Sequence, residues 1–287
     1  MSDLGYSNQN QSRIHISLNS LDEYVRDLST AICTPEPQYE KIGVKVDGEY
    51  RQLNANLLQI ENEFYSPVRP KRVARSGEQP TAALRRDGIE YVEIRSLDIN
   101  PFDPAGINQN TMRFIEAFLV YCVLEDSPGV DAGALEEIHA NHTGMAKDGR
   151  NPEFSLARNG SRVTVKDWAT EILIKVMAVA ELIDKGDVAG SYTQSVRLMQ
   201  QFVDDAETTP SARLLNDLRE TNSSFFEYAL ELAQCHSDYF GSITPLDPER
   251  AAVFEQEAEE SFRRQARIEE SDSISLDAYL QEYFSNC

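Results

Sequence analysis

Positive charge is scarce in this sequence. Among 287 residues, 48 acidic side chains stand against 27 basic ones, a net charge of −21. Such a field repels a phosphate backbone, which excludes sequence-independent nucleic-acid binding. Long apolar runs are also missing. The longest, AFLVYCVL at residues 117–124, is far short of the roughly twenty residues that span a bilayer, so no membrane association is expected. The opening MSDLGYSNQNQS lacks the basic start and apolar stretch that a secretory signal combines. Cys33, Cys122, Cys235 and Cys287 are scattered with no CxxC spacing, which argues for neither a disulfide framework nor a zinc site and fits a reducing cytoplasm. His139 and His142 are three apart, but no second ligand pair flanks them. No GxSxG elbow, no Cys visibly partnered with His and no GxxxxGK[ST] loop occurs. An ATP site here would be built instead on a sheet face with metals and basic side chains.

What is present is a chain that is 41% apolar, enough to bury a core as one large domain or two small ones. Its character changes near Pro104, with turn-punctuated strand patterns before and helical periodicities after. The reading is an α+β fold: a sheet-rich part over residues 1–106 and a helical part of the same domain over 107–287. RIHISL at 13–18 alternates like a short strand, and Asn19 or Ser20 can cap a helix with Leu21, Tyr24, Val25, Leu28 and Ile32 on one face, stopping before Pro35. Asp47-Gly48 between two alternating runs predicts a β-hairpin with a type I′ turn. LLQIENEFY at 57–65 and GIEYVEIRSL at 88–97 read as strands, the second placing Tyr91, Glu93 and Arg95 on one face. Helices are expected over 108–126, with Met112, Ile115, Leu119, Cys122 and Val123 as a buried face, and over 165–185, 191–205 and 223–239. The Glu- and Arg-rich stretch 247–270 reads as a solvated helix with local ion pairs.

Between the two polar-faced strands lies RPKRVARSGEQPTAALRR, in which Arg69, Lys71, Arg72, Arg75, Arg85 and Arg86 face one acid, Glu78. Clustered guanidinium and ammonium groups suit bound phosphates; equally, they could balance neighbouring carboxylates. Glu93 and Arg95, two apart on a strand, have two readings as well. One is a structural ion pair; the other is a carboxylate holding Mg²⁺ beside an arginine on a transferring phosphoryl group. Glu61 and Glu63 are further ligand candidates, or plain sheet-surface acids.

Three segments carry a resemblance: SDLGYSNQNQS at 2–12, LQIENEFYSPVRPKRVARSGE at 58–78 and GIEYVEIRSLDINPF at 88–102. With DGR-NP at 148–152 and PSARLL at 210–215, they resemble the proteobacterial glutamate-cysteine ligases, most densely over about the first 130 residues. The resemblance implies part of a glutamine-synthetase-like antiparallel sheet, a funnel packed with helices. It also implies ATP-dependent joining of the L-glutamate γ-carboxylate to the L-cysteine amine through γ-glutamyl phosphate, the first step of glutathione synthesis. By position, Glu93 matches a magnesium ligand, Arg95 the arginine facing the transferred phosphoryl group, and Tyr6 and Tyr65 tyrosines of the cysteine pocket. Arg69, Lys71 and Arg72 would lie on the ATP side. Family members are considerably longer, so this chain corresponds to a C-terminal portion, from an internal start, a truncated gene or a split enzyme whose other half is a separate chain, and activity is expected to require the N-terminal half. A non-catalytic partner that retains the fold, or a related glutamate-amine ligase, fits the same residues.

Overall fold

The computed structural model describes residues 14–186, 189–243 and 245–285. In chain order these form α1 (Leu21–Cys33), α2 (Pro37–Ile42), β1 (Lys45–Val46), β2 (Glu49–Tyr50), β3 (Val68–Lys71), α3 (Pro80–Asp87), β4 (Tyr91–Ile94), α4 (Gln109–Leu124) and α5 (Ala132–Asp148). There follow β5 (Ser155–Arg158), β6 (Ser161–Thr164), α6 (Val165–Ile183), α7 (Ser191–Asp204), α8 (Pro210–Thr221), α9 (Phe225–Ser242), α10 (Pro248–Ser271) and α11 (Leu276–Tyr283). The fold is α+β, and the strands among the described residues pair as three two-stranded antiparallel ribbons, β1–β2, β3–β4 and β5–β6. No helix of the described residues is long and apolar enough to cross a membrane. The chain divides into two compact units. A ribbon unit holds the described residues up to Arg95 and those from Ile243 onward, and a helical unit spans Ser96–Ser242.

In the ribbon unit, α1 begins where expected. The Ser20 side chain accepts from the Glu23 amide, satisfying one of the orphan donors of the first turn. Its buried face is Tyr24, Val25, Leu28, Ala31 and Ile32, closed by Leu58 and Leu84, with Ile14, Ile16, Phe64 and Phe284 against the rim. The β1–β2 hairpin pairs Lys45 with Tyr50 and Val46 with Glu49. Asp47 and Gly48 take φ of 54° and 87°, the double positive φ that a type I′ turn demands. α10 buries none of its residues, and its arginines pair locally: Arg263 with Glu259 at 2.9 Å and Arg267 with Glu260 at 2.5 Å.

Two expected strands do not form. Residues 57–65 alternate in sequence, yet their amides serve the end of α1: Leu57 N–H donates to Thr34 O at 2.8 Å and Leu58 N–H to Ala31 O at 3.3 Å. Capping those helix carbonyls takes precedence over a ladder, and Glu61–Glu63 winds into a 3₁₀ turn. Residues 14–18 are irregular too; the Ser17 amide donates to Asp27 Oδ2 at 3.0 Å. Conversely, β3 forms inside the basic segment, where no strand was expected, because its partner β4 lies about twenty residues further along the chain.

The helical unit packs Phe114, Ala117, Phe118 and Tyr121 of α4 against Leu173, Val176, Val179 and Ala180 of α6 and Val196 of α7. The expected buried face of α4 is therefore overturned: Met112, Leu119, Cys122 and Val123 are exposed. The helix is apolar on two opposite sides, so periodicity was satisfied by either. β5 and β6 are joined through Asn159 and Gly160, with φ of 52° and 75°, a second turn of the same kind that was not read from the sequence. Cys33 is disulfide-bonded, a pairing the scattered spacing does not announce, while Cys122 and Cys235 are free thiols.

Candidate active site

β3 and β4 place the charged residues of the basic segment directly against those of the EIR triplet. The register sets Arg69 opposite Glu93 and Lys71 opposite Tyr91. With side chains alternating across a strand, Arg69, Lys71, Tyr91 and Glu93 share one face, while Val68, Pro70, Val92 and Ile94 share the other. Two further bonds extend the ladder, Glu90 N–H to Lys71 O at 2.9 Å and Arg95 N–H to Pro67 O at 2.7 Å. Residues 20 to 30 apart in sequence are thereby brought within one patch.

Glu93 sits between two cations. Lys71 Nζ is 3.7 Å from its Oε2 and Arg95 Nε is 4.0 Å from its Oε1, beyond hydrogen-bond range in both cases. The Oε2 atom is buried and accepts no hydrogen bond. A buried carboxylate oxygen without a donor is costly unless something electropositive meets it. Arg95 lies over the Tyr65 ring at 5.4 Å from its centroid, a cation–π contact that aims the guanidinium. Arg69 is 3% exposed; its Nη2 donates to Glu61 O at 3.1 Å and its Nη1 to Asn62 O at 3.5 Å, while its Nε has no partner. Burial pushes the Tyr24 hydroxyl above the ordinary tyrosine value, offset in part by Arg69. Arg72 is tied back by its Nε to Gly88 O at 2.5 Å and lies 3.8 Å from Glu90.

Arg69, Lys71, Arg72, Tyr24 and Tyr91 line a cleft of about 270 Å³, together with the apolar Leu28 and Leu84. Three cations and two aromatic rings around a hollow of that size can hold a phosphate-bearing group. For a metal the fit is partial. Among the described residues no group of three or more His, Cys, Asp or Glu side chains clusters. Magnesium, however, is commonly held through one or two protein carboxylates, phosphate oxygens and water. The unsatisfied Oε2 of Glu93 suits one such position.

Glu61 and Glu63 resolve as structural acids. Glu61 is fully buried and accepts from Thr81 Oγ1 at 2.8 Å and from the Tyr283 hydroxyl at 3.0 Å, while Glu63 accepts from the Gln59 amide at 2.7 Å. Tyr6 lies outside the described residues. Tyr24, placed by its spacing on the buried face of α1, also lines the cleft, which helical periodicity does not reveal.

The glutamate-cysteine ligase family model matches residues 1–145. The chain belongs to the glutamate-cysteine ligase family. A glutamate-cysteine ligase of Alcanivorax borkumensis is 46% identical over 99% of this chain, and one of Shewanella halifaxensis 41% identical over 99%. The structure of the Francisella tularensis ligase in complex with AMP superposes with a TM-score of 0.90 at 33% identity, covering 99% of this chain. A bifunctional glutathione synthetase of Pasteurella multocida shares the fold at 21% identity and a TM-score of 0.58. The chain spans about half the length of the ligases it matches, 55% and 54% of the two relatives and 56% of the Francisella chain.

Proposed function

We propose that this chain supplies part of the active site of an ATP-dependent glutamate-cysteine ligase, completed by the half of the family's length that it does not span. The observation that carries this reading is the orphaned Oε2 of Glu93, set between Lys71 and Arg95 on the ribbon beside the basic cleft. The substrates are ATP, L-glutamate and L-cysteine. A γ-carboxylate oxygen of glutamate attacks the terminal phosphorus of ATP, and the bond to ADP breaks. The cysteine amine then attacks the γ-carbonyl of the acyl phosphate, phosphate leaves with the C–O bond electrons, and the amine gives up a proton. Both steps are dominated by positioning and by neutralising negative charge.

Each residue has a part in this scheme. Arg95, aimed by Tyr65, meets the oxygens of the transferred phosphoryl group. Tyr65 shapes the amine pocket, and Tyr6 is assigned there from its place in the SDLGY motif. Arg69, Lys71 and Arg72 face the nucleotide phosphates from the cleft. Glu93 holds Mg²⁺, which when bound neutralises phosphate charge. A cytoplasmic setting follows, because ATP and the thiol substrate are maintained there. The Francisella relative was solved in complex with AMP, which supports a nucleotide as a ligand of the complete enzyme.

The test combines this chain with the complementary half of a family ligase and follows ADP and γ-glutamylcysteine. Product should form only with both parts present. Glu93→Gln and Arg95→Ala should each lower kcat/KM by about 10²–10³-fold. Full activity of both variants would remove the site assignment, and turnover by this chain alone would remove the dependence on a second half. A complex without turnover would instead identify a non-catalytic partner, and product with other amines in place of cysteine a related ligase.

A further inference from the structure

α4 presents a second apolar face that stays largely exposed among the described residues. On a helix of 3.6 residues per turn, Phe114, Ala117, Phe118 and Tyr121 fall on one side, and Met112, Ile115, Leu119 and Val123 fall almost opposite. The first side packs on α6 and α7. On the second, Met112 is 58% exposed and Val123 84% exposed. Met112, Ile115, Leu119 and Val120 line a shallow apolar depression of about 410 Å³. The acid within it, Glu116, is already held by the Tyr192 hydroxyl at 2.7 Å. A helix that is apolar on two opposite sides has a partner for each when it lies in an interior, and an apolar strip of this length on a surface marks an interface.

We propose that this outer face of α4 is where the complementary half of the ligase docks, through an apolar element of its own. The inference rests on the reading that a second half completes this chain. Two observations select that occupant. The matched relatives carry about as much chain again as this one does, so material of the required size exists in the same enzyme. A second copy is the rival, but each copy carries a charge of −21, and two such surfaces repel on approach. The strip itself offers no basic side chain to offset that repulsion.

A built-in reporter tests the proposal. Cys122, a free and exposed thiol, lies at the rim of the face, while Cys235 on α9 is free and exposed elsewhere. This chain is co-expressed with the half of the Alcanivorax ligase that it does not match, and the complex is examined by sedimentation and by peptide-resolved alkylation. A one-to-one complex is expected, in which Cys122 is alkylated at least about 10-fold more slowly than in the chain alone while Cys235 is unchanged. Met112→Asp with Val123→Asp should weaken the complex at least about 30-fold. The chain's own circular dichroism should stay unchanged, since both side chains are exposed. Phe262→Asp, an exposed apolar position on α10, should leave the affinity intact.

Absence of a complex overturns the proposal, as does a complex in which Cys122 stays as reactive as before or the α4 variants bind normally. A dimer of this chain alone that protects Cys122 would hand the face to a second copy and likewise overturn it. Ligase turnover is measured separately. A complex made through α4 that yields no dipeptide refutes the catalytic reading and leaves the docking face standing.

Discussion

Replacing Tyr283 by Phe removes one hydroxyl donor from a fully buried carboxylate. Glu61 is fully buried, and its two carboxylate oxygens accept from Thr81 Oγ1 at 2.8 Å and from the Tyr283 hydroxyl at 3.0 Å. The phenylalanine keeps the ring contacts to Tyr279 and Phe284, at 5.9 and 5.1 Å between centroids, so little packing is lost. What remains is a buried carboxylate oxygen stripped of its donor. A hydrogen bond to a charged group contributes about 1.5–3 kcal/mol, so a loss of about 2 kcal/mol is expected, roughly 30-fold in the local opening equilibrium.

Amide hydrogen exchange of α3 and α11 reads this directly, because Thr81 and Tyr283 tie those two helices to Glu61. Fluorescence of Trp168, the single tryptophan, reports the helical unit as an internal control. Thr81→Val should cost a similar amount, and the double variant less than the sum, since both donors serve one carboxylate. There is also a pH signature. Burial, followed by the nearby Glu61 charge, raises the Tyr283 hydroxyl above its ordinary 10.0. Its contribution is therefore complete below pH 10 and is lost as the pH climbs above that value, where the unfolded chain releases the proton first. Exchange in α11 within about threefold of wild type, together with an unchanged alkaline profile in Tyr283→Phe, would refute the clamp.

Two other predictions concern the same unit. Glu78 accepts from Arg86 Nε and Nη2, both at 3.0 Å, and from the Arg75 amide at 2.9 Å, and these bonds pull its carboxyl from 4.5 down to about 2. Its contribution to stability is present above pH 4.5 and disappears as the pH falls to about 2. A carboxyl-carbon NMR titration should show that low midpoint, and Arg86→Ala should return it toward the ordinary value; a normal midpoint in the wild type would contradict the bidentate pair. Gly48→Ala, at φ 87° in open space, should lower stability by about 1 kcal/mol through backbone strain alone. The urea midpoint measures it, and an unchanged midpoint would mean that the turn is not type I′.

Local rules were legible wherever a short stretch satisfies itself. The Ser20 cap, the buried stripe of α1, the Asp47-Gly48 turn and the start of α6 at Val165 all depend on neighbours a few residues away. The ion-paired surface of α10 was readable for the same reason: i,i+3 and i,i+4 spacing places Arg263 beside Glu260 and Glu259. Family membership was equally legible, because the motif around Glu93 and Arg95 needs no coordinates to be recognised.

Long-range competition decided the remainder. Residues 57–65 have the alternation of a strand, but the open carbonyls at the end of α1 take their amides. Alternation alone cannot state that a nearer acceptor exists. α4 has two apolar faces, and the side that turned inward was set by what α6 and α7 offered. Tertiary pairing likewise made the candidate site: β3 and β4 set Arg69 against Glu93, left Oε2 of Glu93 without a donor, and withdrew Glu61 into a clamp closed by a tyrosine 222 residues away. The sequence by itself determined which family this chain belongs to and which side chains are the candidates for chemistry. Only the folded structure determined which of those charges meet one another and which are already satisfied, because a hydrogen bond or an ion pair depends on distance in space and not on position along the chain.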